Sequence, residues 1–150
     1  MTDRYEQFSS SVSCLYRYVQ KIERTEMANY GLKGPHAQCL LAISRYPQGI
    51  TASQLCEVCD KDKAAVSRTL AELEQAGMVS RGSGEGKRYR IGLHLTQKGS
   101  DIAERVKKLA ALAVEQAGDG LSEENRAVFY AALNLIAENL RRISRDGIQK

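Results

Sequence analysis

The fold is decided by residues 51–99, TASQLCEVCDKDKAAVSRTLAELEQAGMVSRGSGEGKRYRIGLHLTQKG. Residues 51–54 form a capping box, in which a Thr and a Gln three positions later satisfy backbone N–H groups at a helix start. This pattern predicts a helix that continues through Cys59. After a short break, a second helix is predicted from position 62 or 63 to position 76. It ends before Gly77, which tolerates the left-handed conformation at a helix C-terminus.

A β-hairpin is predicted directly after these two helices. Residues 78–81 form a short strand candidate, residues 82–86 are rich in glycine, and residues 90–95 alternate between apolar and polar side chains. Two short helices joined by a tight turn and followed by a hairpin constitute a winged helix-turn-helix, whose second helix enters the major groove of DNA. The predicted fold class is therefore mainly α with a small β-hairpin wing.

The second helix of this unit has two faces of different character. At about 100° per residue, Val66, Leu70 and Leu73 fall on one side and predict a buried aliphatic face. The opposite side and the helix start carry small, hydrogen-bonding or basic side chains that suit bases and phosphates. These candidate DNA-binding residues are Lys61, Lys63, Ala64, Ser67 and Arg68. Because an ordinary exposed helix shows similar residues, this helix alone leaves DNA binding open.

The hairpin adds a local concentration of positive charge. Its candidate DNA-binding residues are Arg81, Lys87, Arg88 and Arg90, opposed only by Glu85. An arginine on a glycine-rich tip can enter the minor groove, where the negative potential is strongest when the groove is narrow. The net charge of +4 implies little by itself. A helix-turn-helix directly before a basic hairpin nevertheless favours double-stranded DNA as a partner.

Long helices predicted on both sides of this centre indicate a homodimer. The first runs from about Arg4 to about Tyr30, and the last runs from Ser122 to about Arg145. Each carries an apolar stripe at spacings of three and four, which is typical of a helix packed on another helix. The predicted dimerisation residues are Phe8, Val12, Leu15, Val19, Phe129, Leu133, Ile136 and Leu140. The corresponding division is a dimerisation helix and linker at 1–34, a DNA-binding lobe at 35–96 and dimerisation helices at 97–150.

Four segments of the central region resemble the MarR family of bacterial winged-helix regulators. They are residues 51–55, 62–70, 73–79 and 95–99, and the flanking helices also fit the family's arrangement. The resemblance implies a homodimer on a pseudo-palindromic DNA operator, with Arg88 as the wing arginine in the minor groove. It further implies a repressor released by a small-molecule effector near the lobe junction, where His36 could line the effector pocket. Because His36 lies at a predicted helix start, a capping or packing role is favoured over this one. The sequence departs from the family at Lys87, where an acidic residue often precedes the wing arginine.

The cysteines allow more than one interpretation. Cys56 and Cys59 form a Cys-x-x-Cys motif, which can indicate redox chemistry or zinc. They lie within a predicted helix on the face of Leu55, which favours packing in the core. A zinc site would need two further ligands, and neither histidine has ligand-like spacing, so no metal is expected. Redox sensing by this pair stays an alternative, and Cys14 and Cys39 are expected in the core or the dimer interface.

Other features exclude functions rather than assign them. The sequence contains no phosphate loop, metalloprotease motif or nucleophile elbow, so neither enzymatic activity nor a cofactor is expected. It has no signal-peptide pattern and no apolar run long enough to span a bilayer, which predicts a cytoplasmic protein. His94 is expected to be exposed because it alternates with Leu93 and Leu95. A winged helix that binds only other proteins is the remaining alternative.

Overall fold

The computed structural model describes residues 2–82 and 92–149 of the 150-residue chain. Over these residues it contains six helices and one two-stranded antiparallel sheet. The helices are α1 (Thr2–Ala28), α2 (Gly34–Ser44), α3 (Ala52–Cys59), α4 (Lys63–Gln75), α5 (Gln97–Ala117) and α6 (Glu123–Asp146). The strands are β1 (Val79–Arg81) and β2 (Leu93–Leu95). The predicted class, mainly α with a small β-hairpin, is confirmed.

Side chains form capping hydrogen bonds at the helix N-termini that the sequence predicts. The capping box of α3 is complete, because Gln54 N–H donates to Thr51 Oγ1 (3.1 Å) and Thr51 N–H donates to Gln54 Oε1 (3.0 Å). Asp62 caps α4 by accepting from the N–H of Ala65 (2.8 Å), and Ser122 caps α6 in the same way. These bonds satisfy donors that a helix leaves unpaired in its first turn.

The small sheet is tied to the loop that precedes α3. Val79 pairs with Leu95 and Arg81 pairs with Leu93 in the antiparallel register of β1 and β2. Ile50 forms a further antiparallel bridge to Leu93, in which Leu93 N–H donates to Ile50 O (2.7 Å) and Ile50 N–H donates to Leu93 O (3.3 Å). The base of the hairpin is therefore fixed to the start of the helix-turn-helix.

The chain divides into two compact units, Met1–Leu112 and Ala113–Lys150, and the boundary falls within α5. The first unit has a continuous apolar core to which five helices and both strands contribute. Its most deeply buried large side chains are Met27, Leu40, Ile43, Ile50, Leu55, Leu70, Leu73 and Val106. The three-part division by role, at 1–34, 35–96 and 97–150, stays a prediction.

The start of α5 lies very close to the hairpin. A Cβ atom added at Gly99 would lie 2.1 Å from the carbonyl oxygen of Met78, so only glycine fits at this position. Thr96 strengthens the same junction, since its hydroxyl donates to the Gly77 carbonyl (2.6 Å) and accepts from the Gly99 N–H (3.2 Å). The Leu-Thr-Gln-Lys-Gly segment therefore attaches the wing base to α5.

The second unit comprises the end of α5, a turn and α6. Arg126 on α6 pairs with the carboxylate of Glu115 on α5. No residue of α6 is buried, so its apolar stripe is not part of a core within this chain. Among the described residues, no helix is both long and apolar enough to cross a membrane.

Candidate DNA-binding surface and an adjacent groove

A tight turn joins α3 to α4. Asp60 adopts a left-handed conformation (φ 50°, ψ 49°), which short polar residues tolerate better than most. The N–H of Lys61 then donates to the carbonyl of Cys56 (3.1 Å), and Asp62 caps the next helix. The turn therefore uses only two residues between α3 and the capping residue, which fixes where α4 begins.

The two faces of α4 are those predicted from its periodicity. Val66, Leu70 and Leu73 are buried in the core of the first unit. Thr69 is also buried, which the sequence did not predict, and its hydroxyl donates to the carbonyl of Ala65 (3.1 Å). The predicted DNA-binding residues of this region are all exposed, namely Lys61, Lys63, Ala64, Ser67 and Arg68. Their contact with DNA stays a prediction.

Charge is unevenly distributed along α4. The exposed basic residues lie in its first half and in the turn before it. The carboxylates of the second half have cationic or histidine partners. Glu74 Oε1 accepts from Arg81 Nε (2.7 Å), and Glu72 bonds to His36. The negative charge of these two carboxylates is therefore partly offset by their own partners. It weakens the positive charge at the start of α4 less than two unpaired carboxylates would.

The wing is described only at its base. Arg81 is exposed but is held against α4 by its pair with Glu74. The predicted wing residues Lys87, Arg88 and Arg90 lie outside the described residues, as do positions 90 and 91 of the predicted second strand. Their role in DNA binding stays a prediction.

His36 connects the start of α2 with α4. The N–H of Lys33 donates to Nδ1 of His36 (2.9 Å), so this nitrogen is the acceptor and Nε2 carries the proton that it donates to Glu72. The capping role considered for His36 is confirmed by the first of these bonds. Its ring is buried and does not line the groove described next.

A groove with a volume of about 600 Å³ lies between α1, α2 and the end of α3. Its ionisable lining residues are Tyr16, Glu23, Arg24, Arg45, Cys59, Asp60 and Lys61. Burial raises the pKa of Glu23, against an opposing effect from Arg45. No pattern in the sequence indicates this groove, because its lining residues come from three separate segments. Lys61 belongs both to the groove and to the turn before α4.

The cysteines are arranged differently from the predicted Cys-x-x-Cys core pair. Cys59 is buried, as expected, whereas Cys56 is only half-buried at the edge of the core. Cys39 on α2 is also buried. The interaction between the two thiols raises the pKa of Cys39 far above its usual range and lowers the pKa of Cys59. Within the described residues, no group of three or more potential ligands could hold a metal ion.

The predicted dimerisation stripes are largely exposed in the single chain. Phe8 and Leu15 on α1 are 40% and 57% exposed, and Phe129 and Leu140 on α6 are 42% and 50% exposed. Val12 and Ile136 are also exposed, whereas Val19 and Leu133 are half-buried. Such contiguous apolar positions on one helix are typical of an interface rather than of a solvated surface.

The expectation that His94 is exposed is wrong. His94 is half-buried, and its Nε2 atom is buried without a hydrogen-bond partner among the described residues. The alternation rule failed here because β2 is only three residues long. In so short a strand, neighbouring elements rather than the two faces of a sheet determine burial.

The capped turn, the two-faced helix α4 and the hairpin behind it define a winged helix-turn-helix protein. The sequence model that describes the MarR family matches residues 30–88 of this chain. The predicted resemblance to the MarR family is thus confirmed. A search among curated protein sequences found no match.

Solved structures of MarR-family proteins resemble this chain over most of its length. A MarR transcriptional regulator from Methanosarcina mazei Go1 has 27% sequence identity and a TM-score of 0.76, and the alignment covers 92% of each chain. A putative MarR-family regulator from Listeria monocytogenes, complexed with a 26mer DNA, has 20% identity and a TM-score of 0.72, with 94% of this chain and 95% of that chain covered. A Mycobacterium tuberculosis MarR-family protein in complex with salicylic acid has 24% identity and a TM-score of 0.62, with 82% and 93% covered.

Proposed function

We propose that this chain is a homodimeric transcription regulator that binds a pseudo-palindromic site on double-stranded DNA. The observation that carries the proposal is the division of α4 into two faces. Its aliphatic side is fully used in the core, while Ser67 and Arg68 project from the opposite side. Small and basic side chains on an exposed helix directly before a hairpin suit entry into the major groove.

Dimerisation supplies the geometry that a pseudo-palindrome requires. The exposed stripes of α1 and α6 each need an apolar partner, and a second copy of the chain provides one through a two-fold axis. Two copies of α4 would then lie about one DNA turn apart, at about 34 Å. In this arrangement residues 1–34 and 97–150 serve dimerisation, and residues 35–96 serve DNA binding. The related DNA-bound protein from Listeria monocytogenes supports the same use of the fold.

We further propose repression that a small organic acid relieves. Three cationic residues, Arg24, Arg45 and Lys61, line the groove beside Glu23 and Asp60, so the groove suits an anion with an apolar body. The salicylic acid complex of the Mycobacterium tuberculosis relative supports this class of effector. Because Lys61 also belongs to the turn before α4, an occupied groove would favour a different position of α4. The effector would thus shift the population away from the DNA-competent state.

The decisive experiment is selection of bound sequences from a random double-stranded DNA library. We expect enriched sites with two related half-sites whose centres lie about one helical turn apart, at about 10 base pairs. The variant Ser67→Asp should abolish binding to the enriched duplex, because it places a carboxylate against DNA. The matched control Ser144→Asp introduces the same charge at an exposed position of α6 and should bind like the wild type.

Two results would contradict the proposal. If the wild type enriches no sequence and shows no salt-dependent affinity for duplex DNA, the chain is better explained as a protein-interaction module. If Ser67→Asp and Ser144→Asp bind equally well, DNA binding does not use the exposed face of α4.

A further inference from the structure

We propose that Glu74, near the end of α4, is a positioning residue for DNA binding. It holds the guanidinium of Arg81 in place at the wing base, so that this group binds a phosphate of the DNA backbone. The sequence analysis selected Arg81 as a candidate DNA-binding residue and assigned no role to Glu74. The inference deepens the proposed function and rests on it.

The Glu74–Arg81 pair connects the end of α4 with the base of the wing. Arg81 Nε donates to Glu74 Oε1 (2.7 Å) across the turn between α4 and β1. Arg81 is the last residue of β1, and Glu74 is the residue before the last of α4. The bond therefore joins two elements that both belong to the candidate DNA-binding surface.

The backbone on both sides of this pair is held by other hydrogen bonds. At the end of α4, Lys98 Nζ donates to the carbonyl of Ala76 (3.0 Å). Directly after Arg81, the N–H of Gly82 donates to the carbonyl of Gly92 (3.0 Å) and joins the two arms of the hairpin. Loss of the Glu74 carboxylate should therefore release the arginine side chain and leave the backbone in place.

The guanidinium of Arg81 is suited to a second acceptor while it is paired. Its side chain is 56% exposed, whereas the side chain of Glu74 is 33% exposed. The bond to Glu74 runs through Nε. The two terminal nitrogens carry further N–H groups, and their planar fork matches the oxygens of a phosphate. Arg81 can therefore bind Glu74 and a phosphate at the same time.

The position of Arg81 in the fold favours a phosphate over a base as this second acceptor. In the proposed complex α4 enters the major groove and the wing enters the minor groove. The phosphate backbone that separates the two grooves then runs past the base of the hairpin, where Arg81 lies. Phosphate contacts orient a protein on the duplex but carry no direct sequence information. We therefore expect Arg81 to contribute affinity without base preference.

Glu74 contributes to binding by ordering Arg81 before DNA arrives. A long side chain loses rotamer freedom when it is immobilised in a complex, and this loss weakens binding. An exposed ion pair adds little to folding stability, so the effect of this pair is expected in DNA affinity. Charge alone predicts the opposite result, because a carboxylate repels DNA and its removal would strengthen binding. Positioning and simple repulsion therefore predict effects of opposite sign.

Titration of the full chain against the duplex selected from the random library tests this sign. Glu74→Ala should weaken binding by about threefold or more. Glu74→Gln retains an oxygen that accepts from Arg81 Nε and should keep most of the affinity. The matched control Glu57→Ala removes a carboxylate from an exposed position of α3 and should bind at least as tightly as the wild type. Circular dichroism verifies that each variant is folded.

A double-mutant cycle shows whether Glu74 acts through Arg81. Arg81→Ala should weaken binding to all duplexes and reduce the salt dependence by about one charge per protomer. In the Arg81→Ala background, Glu74→Ala should cause no further loss, since the side chain that it positions is gone.

The outcomes separate this inference from the proposed function. Tighter binding of Glu74→Ala than of the wild type, or an equal loss in both backgrounds, would overturn the positioning role while DNA binding by the chain stands. If the wild type itself binds no duplex, the proposed function fails and the positioning role fails with it.

Discussion

The ring of His36 forms a hydrogen-bonded bridge to Glu72, thirty-six residues away on α4. Its other nitrogen, Nδ1, accepts from the backbone N–H of Lys33 at the start of α2. Since both nitrogens are used, the neutral ring has a defined tautomer and orientation. One side chain therefore couples the linker between α1 and α2 to the helix that we assign to the major groove.

Replacement of His36 with alanine should lower the free energy of unfolding by about 1–3 kcal/mol. The change leaves the Lys33 N–H without its acceptor and opens space in a buried position. Glu72→Ala should cost less than about 1 kcal/mol, because 63% of the Glu72 side chain is exposed. Urea unfolding of both variants measures the two effects. Equal losses would mean that the hydrogen bond to Glu72, rather than burial and capping by His36, dominates this contact.

Dimerisation through the exposed stripes should be disrupted by charge. The wild type should sediment at about twice the chain mass of 16.6 kDa at micromolar concentration. Leu15→Glu on α1 and Phe129→Glu on α6 should each shift the protein toward the monomer, since a carboxylate would enter an apolar interface. Tyr46→Glu, at an exposed aromatic residue between α2 and α3, serves as the control. A stable, folded wild-type monomer would contradict the dimer.

Arg68 should read a base edge from the exposed face of α4. Arg68→Ala is expected to cost about 1–3 kcal/mol on the selected site and to relax the preference at one base position of each half-site. Titrations against the selected duplex and its single-base variants measure both effects. Arg141→Ala, an exposed arginine on α6, should leave affinity unchanged. A uniform loss on all duplexes would instead indicate that Arg68 contacts phosphate.

Arg88 should act through the minor groove rather than through base identity. Arg88→Ala is expected to weaken binding to all duplexes, to reduce the salt dependence by about one charge per wing and to act most strongly on sites with A·T-rich flanks. Because Arg68 lies on α4 and Arg88 on the wing predicted from the sequence, their effects should be nearly additive in the double variant. Titrations at several salt concentrations provide the measurement. An unchanged salt dependence would exclude Arg88 from the DNA contact.

Glu23 should make stability depend on pH. Its raised folded-state pKa means that it favours folding when protonated, below its unfolded pKa, and that this contribution is lost as pH rises through the folded pKa. Glu23→Gln should therefore gain stability relative to the wild type between acidic pH and pH 7. Unfolding curves across this range test the sign, with Glu6→Gln, an exposed residue on α1, as the control. A growing advantage of the wild type with pH would refute the role of burial.

The local elements of this protein follow from its sequence. The cap of Thr51 and Gln54 and the buried stripe of Val66, Leu70 and Leu73 were predicted correctly. These features depend on residues three or four positions apart, whose contacts are fixed once the backbone is helical. The resemblance to the MarR family likewise rests on short segments with fixed spacing.

The tertiary structure alone decided the contacts between distant segments. It joined His36 to Glu72, left Cys56 only partly buried, and half-buried His94. It also formed the groove from α1, α2 and the end of α3. Helical periodicity indicates the direction in which a side chain points from the helix axis. Which residue it contacts twenty or more positions away depends on how the helices pack. That packing is set by the shape of the whole core, which no single stretch of the chain encodes.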